Sequence, residues 1–262
     1  MPNIYMQQDT LNELNRNYEQ APLKHPVFLN SVPKSGTHLV RNILRMFVPV
    51  EQQFHETFIQ IPNLHQMAGR AFSLEKPMLS WGHLLCSDES VYATAKTNNI
   101  LLVRDPYTWV LARARFFLSE NFEAKLEHLR RPEFSGDSLL NMMIYGIHGK
   151  SPPLVDIFTF NAVSWLGSHT KLYRFEDVLR HLKDLESRQA EAYFGGLLDD
   201  CGIDMPADWR ERVRVGSDRK QSGTARENLT VDETRIPKEL PVLQRKMVDQ
   251  VIPGVREILG YH

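Results

Sequence analysis

The residues best suited to chemistry lie in short stretches of mixed cation, hydroxyl and glycine. Pro33-Lys34-Ser35-Gly36-Thr37 places one ammonium, two hydroxyls and a glycine in five positions. Backbone N–H groups at a helix start point at a bound anion, and the helix dipole favours negative charge. Lys34 adds a mobile cation, and Ser35 and Thr37 add donors, so this stretch suits a phosphate-like group. Its order differs from the Walker A loop GxxxxGK[ST], in which Lys follows the second Gly. Here Lys34 precedes Ser35-Gly36 and position 30 is Asn, which argues against an ATPase or ordinary kinase. A second stretch, Leu102-Val103-Arg104-Asp105-Pro106, carries an arginine whose planar fork suits bidentate phosphate contacts. His83 follows an apolar run, and a neutral imidazole has the pKa to take a hydroxyl proton near pH 7.

The elements around these stretches follow from hydrophobic spacing. Residues 26–32 form a short β-prone run read as a buried strand. From Thr37 the apolar period becomes helical, through Leu39, Val40, Ile43, Leu44 and Phe47. Further strands are expected at 77–83, 99–103 and 170–174, with helices over 107–118 and from Glu176 onward. Such alternation predicts an α/β fold, a central parallel sheet flanked by helices. In these sheets ligands sit beyond the carboxyl ends of the strands, where three of the motifs fall. A short lead-in helix is expected within 7–20, a long polar surface loop over 215–234, and a helical stretch over 238–259 broken at Pro253-Gly254.

Composition narrows the class. The 262 residues suffice for a single domain over 1–262, and no linker-like stretch divides them. The net charge of −1 and a pI near 6.8 give no sign of nucleic acid or a membrane surface as partner. A polyanionic ligand must therefore be held by a few placed cations and backbone amides. Two cysteines, Cys86 and Cys201, are too few for a disulfide framework, and no Cys/His cluster suggests a metal. They read as thiols of a reducing compartment. The N-terminus lacks the pattern of a signal peptide, and the apolar stretch 39–50 is broken by Arg41 and Arg45, so no membrane span is expected.

The loop at 33–37 resembles the 5′-phosphosulfate loop, PKSGTTW, of the sulfotransferases that use PAPS (3′-phosphoadenosine 5′-phosphosulfate), with His38 and Leu39 in place of Thr and Trp. The resemblance covers residues 26–235 and implies a P-loop NTPase-like sulfotransferase fold, PAPS as co-substrate, PAP as product and no metal. It implies that Lys34, Ser35, Gly36, Thr37 and His38 hold the phosphosulfate. Arg104 matches the family's R[DN]P arginine, which binds the ribose 3′-phosphate. Eight residues on, where the family has Ser, stands Ala112, so Arg113 or Arg115 is left to replace that contact. Asp218-Arg219-Lys220-Gln221-Ser222-Gly223-Thr224 is similar to the RKGxxG loop, which makes Arg219 and Lys220 further 3′-phosphate candidates. Residues 226–231 resemble the KxxxTV stretch of a dimerisation motif, with Arg235 where its closing Glu stands, so a homodimer is admitted. Leu172-Tyr173-Arg174-Phe175-Glu176-Asp177 is like the family's LxYED strand end, and Phe175 is placed either near the adenine or in the core. Golgi-type members carry a membrane anchor, whereas this chain reads as cytoplasmic.

Sulfuryl transfer is an in-line displacement that needs positioning, charge stabilisation on the leaving phosphate, and a base. By resemblance Lys34 stabilises the leaving group, and His83 stands where the family's catalytic histidine does. Glu56, beside His55, is the rival base, since some membrane-anchored members use a Glu shortly after the first helix. The expected acceptor is a small molecule, sulfated on a hydroxyl by default or else on an amine. Phe134, Met142, Met143 and Tyr145, with Trp81 and Phe54, either line its pocket or belong to the core. The alternatives are a kinase-like phosphotransferase or a nucleotide-binding protein without catalysis.

Overall fold

Four apolar runs separated by helices meet, in the computed structural model of the chain, as one parallel sheet. The described residues are 3–4, 9–123, 125–222, 225, 229–231 and 235–262. From the N-terminus they form β1 (Asn3–Ile4), α1 (Leu11–Asn15), β2 (Val27–Ser31), α2 (Thr37–Arg45), α3 (Leu64–Ala71) and β3 (Leu79–Gly82). Next come α4 (Asp88–Thr94), β4 (Asn98–Val103), α5 (Pro106–Leu118), β5 (Phe122–Glu123), α6 (Gly136–Tyr145) and α7 (Leu154–Asn161). The chain closes with β6 (Lys171–Arg174), α8 (Phe175–Leu182), α9 (Arg188–Asp200), α10 (Trp209–Gly216), α11 (Val242–Val251) and α12 (Val255–Ile258).

The sheet order is β3-β2-β4-β6, every pair parallel, with Leu29 opposite Trp81 on one side and Ile100 on the other. Successive side chains alternate between faces. Val27, Leu29, Ile100 and Leu102 join one core with Ile43 of α2 and Phe194 of α9. Phe28, Leu101 and Val103 join the other with Trp109 of α5 and Phe158 of α7. Burial on both faces explains why these strands read as unbroken apolar runs rather than alternating ones. The chain enters at β2, steps out to β3, then crosses back to β4 and β6. The carboxyl end of β2 is therefore the topological switch point, and the 33–37 loop leaves from it.

The four expected strands are all present with ends moved by one or two residues, and the expected helices with them, the one over 238–259 starting four residues late at Val242. Asn3–Ile4 and Phe122–Glu123 add an antiparallel ribbon that no sequence signal announced. The expected loop over 215–234 begins later, because Val215 and Gly216 close α10. A Cβ on Gly216 would lie 2.6 Å from Ile43 Cα, so α10 packs tightly on α2. Residues 223, 224, 226–228 and 232–234 of that stretch lie outside the described residues.

Candidate functional site

The loop after β2 is shaped by what its carbonyls do. Trp109 Nε1 of α5 donates to Pro33 O at 2.5 Å, and Arg104 Nη1 donates to Lys34 O at 3.4 Å. In the first turn of α2 the amides of Thr37 and His38 have no partner among the described residues, while Leu39 N bonds Gly36 O at 3.0 Å. The N-cap is Gly36 at φ 91°, with no side chain to cap it. Glycine is required there twice over: by the left-handed backbone, and because a Cβ would lie 2.3 Å from the Phe175 ring. Lys34 is also left-handed, at φ 68°, a strain of roughly 1 kcal/mol for a non-glycine residue. Ser35 is fully buried, and its Oγ has no hydrogen-bond partner among the described residues. Buried hydroxyls are rarely left so.

Cations gather around the loop. Lys34 has its pKa pulled down to about 7, by burial first and by the charge of Arg104 second. Its ammonium rests 3.5 Å from the centroid of the Phe116 ring. Arg104 is lowered to about 10 by burial; Glu176 and Tyr261 oppose the shift, while Arg115 and Arg219 add to it. Arg104 thus lies within reach of three like charges, lowering Lys34 and lowered by Arg115 and Arg219, within a chain whose net charge is −1. Glu176 is occupied in holding the strand end, accepting from Asp105 N, Thr108 Oγ1 and the Tyr261 hydroxyl. Asp105 pairs with Arg256 at 3.1 Å, and Arg104 itself donates to Thr108 Oγ1 at 3.0 Å.

His83 leaves the end of β3 and is tied back to the loop. Its Nδ1 lies 3.0 Å from Ser31 O and 3.1 Å from Ser31 Oγ, which in turn is 2.7 Å from Thr37 Oγ1. A carbonyl can only accept, so Nδ1 carries the proton and Nε2 keeps its lone pair. Burial lowers the His83 pKa to about 4, with Lys34 contributing, so the ring is neutral at pH 7. Asn30 fixes the exit of the strand, bonding both N and O of Leu84. Gly82 allows Ile59 to sit alongside, since a Cβ there would meet Ile59 O at 2.1 Å.

No protein-family model and no curated protein matches the sequence. Among solved structures, mouse sulfotransferase SULT7A1 complexed with PAP aligns with a TM-score of 0.59 at 13% identity, over 94% of this chain and 88% of that one. The chain has the sulfotransferase fold. It is the backbone path, not the residue string, that carries this likeness.

Within the sulfotransferase fold the anticipated residues fare differently. Lys34, Ser35, Gly36, Thr37, His38, His83 and Arg104 converge at the carboxyl ends of β2, β3 and β4. Phe175 packs on Gly36, with Arg104 Cζ 4.7 Å from its ring centroid, so it forms part of the wall behind the loop. Arg115 and Arg113 part company. Thr108, Ala112 and Arg115 share one face of α5; Thr108 Oγ1 accepts from Arg104, and the charge of Arg115 is felt at Arg104 while its Nη2 donates to Pro237 O at 3.4 Å. Arg113 is buried on the other side, donating to Met143 O, Ser151 Oγ and Pro152 O. Arg219 and Lys220 are exposed on a 3₁₀ turn whose Gln221 carbonyl accepts from Asn42 of α2. Gly223, Thr224, Arg226, Glu227 and Asn228 lie outside the described residues. Arg235 donates to the carbonyls of Leu129, Arg130, Arg131 and Phe134, an internal clamp. Glu56 is exposed and paired with Arg70 at 2.7 Å. Of the six apolar candidates, Phe54 and Met143 are core, Tyr145 is exposed, and Phe134 and Met142 pack against the core. Trp81 stands near His83, where Phe58, unremarked in the sequence, lies 5.7 Å from both rings. Among the described residues no three His, Cys, Asp or Glu side chains gather as for a metal ion, and no helix is long and apolar enough to cross a membrane.

Proposed function

We propose that the chain is a sulfotransferase that takes a sulfuryl group from PAPS and places it on a hydroxyl of a small-molecule acceptor. The observation that carries this reading is the convergence of Lys34 and Arg104 on one loop at the sheet's switch point, where burial lowers the proton affinity of both and the charge of Arg104 lowers that of Lys34 further. Such an arrangement calls for a ligand with negative charge at two places. The residues present fit PAPS: Ser35 Oγ has a vacant bond to give, Gly36 leaves the start of α2 without a capping side chain, and the Thr37 and His38 amides have no partner among the described residues. Bound PAPS supplies the sulfuryl group, joined through oxygen to a phosphate.

The protein's part is positioning and charge. The loop amides with Ser35, Thr37 and His38 hold the phosphosulfate end, and Arg104 with Arg115, Arg219 and Lys220 holds the 3′-phosphate. Lys34 neutralises charge on the leaving phosphate oxygen. His83 Nε2 accepts the acceptor's hydroxyl proton, and Ser31 keeps the ring oriented through Nδ1. His83 is favoured over Glu56 as base because its ring reaches the loop through Ser31, while the Glu56 carboxylate is committed to Arg70. Titration calorimetry with PAP and ATP, followed by incubation with labelled PAPS and phenols, alcohols and amines, tests the reading. PAP binding and label on a hydroxyl acceptor are expected. Preference for ATP points to a kinase-like phosphotransferase, and PAP binding without transfer points to a protein that lacks catalysis.

A further inference from the structure

Two arginines one turn apart on α2 have opposite surroundings. Arg45 is buried and saturated: it bonds Gln53 through Nε, Asp9 through both terminal nitrogens, and Asn42 and Asn12 besides. Arg41 is half-buried, and no hydrogen bond or ion pair to it occurs among the described residues. Its guanidinium stacks on Trp81, Cζ 4.5 Å from the ring centroid. Asp9 is the carboxylate within range of it, and both Asp9 oxygens are taken by Arg45. A guanidinium drawn out of water without an acceptor is costly, so the place suits an anion that the protein does not itself provide.

The surroundings say where that anion's remaining atoms would lie. Trp81 is 5.2 Å from His38 and 5.7 Å from Phe58, and Phe58 is 5.7 Å from His83. A run of ring faces thus leads from Arg41 to the base. His38 feels Arg41, Lys34 and His83 together and is held uncharged, chiefly by burial. Arg41 sits about 6 Å along the α2 axis from Thr37, past the turn whose amides serve the donor.

Resting on the sulfotransferase reading, we propose that Arg41 selects the acceptor: a hydroxy acid whose apolar body lies against Trp81 and Phe58, hydroxyl at His83 and carboxylate on the Arg41 guanidinium. A carboxylate matches the guanidinium fork in two parallel bonds, which gives orientation as well as affinity. Arg41 is a binding residue here and takes no part in bond making.

The test uses the full chain, PAPS, and two probes differing in one charge: 3-(4-hydroxyphenyl)propanoate and its methyl ester. The acid-to-ester ratio of kcat/KM is measured for the wild type, Arg41→Met and Arg41→Lys. The wild type is expected to favour the acid. The ratio should fall about tenfold or more in Arg41→Met, and less in Arg41→Lys, which keeps the charge and loses the fork. Calorimetric binding of the same probes, with and without PAP, gives the ratio independently of turnover. An ester preference in the wild type, or equal ratios in wild type and Arg41→Met, overturns the inference. A binding ratio that shifts while no acceptor is ever sulfated supports Arg41 and refutes the sulfotransferase reading; product formed at an unchanged ratio does the reverse.

Discussion

Lys34 gives the sharpest test, because its proton should be taken up when the nucleotide binds. In the ligand-free protein burial and Arg104 hold its pKa near 7, against 10.5 for an ordinary lysine. A phosphate dianion beside the ammonium favours the charged form and returns the pKa toward its ordinary value. Above pH 7 the protein must therefore bind one proton along with PAP, at about 1.4 kcal/mol per pH unit. PAP affinity is expected to be level just below pH 7 and to weaken about tenfold per unit above it, roughly a hundredfold by pH 9. The slope follows from one proton and not from the size of the shift, which sets only where the slope begins. Phosphate monoesters lose their second proton near pH 6, so the ligand adds little slope in this window. Calorimetric Kd values from pH 6.5 to 9 read the effect, and Lys34→Met should abolish it. Ligand-free stability moves the opposite way: the folded pKa is depressed, so the unfolded chain binds more protons between about pH 7 and 10.5, and ligand-free stability gains with pH there. Equal affinity slopes in the wild type and Lys34→Met would refute the argument.

Other outcomes follow from the same contacts. His83→Ala should lower turnover by roughly 10²–10⁴ while PAP still binds; near-normal activity would transfer the base role to Glu56. Because burial lowers the His83 pKa to about 4, wild-type activity should persist below pH 6.5, and an acid limb centred at 6.5 would contradict a buried His83. Ser35→Ala removes a hydroxyl without a partner, so it should raise stability by about 1 kcal/mol in denaturant titration while weakening PAP binding. Arg113→Met strips the donor from three acceptors and should cost about 3 kcal/mol, a Tm loss of roughly 6–12 °C, with little direct effect on the site. Arg115→Met should show the converse, a small Tm change with weaker PAP binding.

Much of the sheet and the loop that joins β2 to α2 was legible in the residue string, because both are written locally. A continuous apolar run, a switch to helical spacing at Thr37, and Lys-Ser-Gly between them need no knowledge of the remaining chain. The same holds for Arg104, which follows the last residue of β4, two positions before the proline that starts α5. What needed the tertiary structure was each choice of facing. Nothing in the spacing says whether Arg113 or Arg115 meets Arg104; the burial of Trp109 and Val110 against the sheet turns one inward and the other toward the loop. Asp105 finds Arg256 across 151 positions, and Phe175 meets Gly36 because β6 is the neighbour of β4. Arg41 and Arg45 look alike in sequence, and only the docking of Asp9 and Gln53 on one of them separates a structural cation from one left for a ligand. Local pattern determines which elements form and which chemistry their ends can hold. Long-range packing decides which side chains meet there, since a helix face acquires its partner only when the sheet order is set.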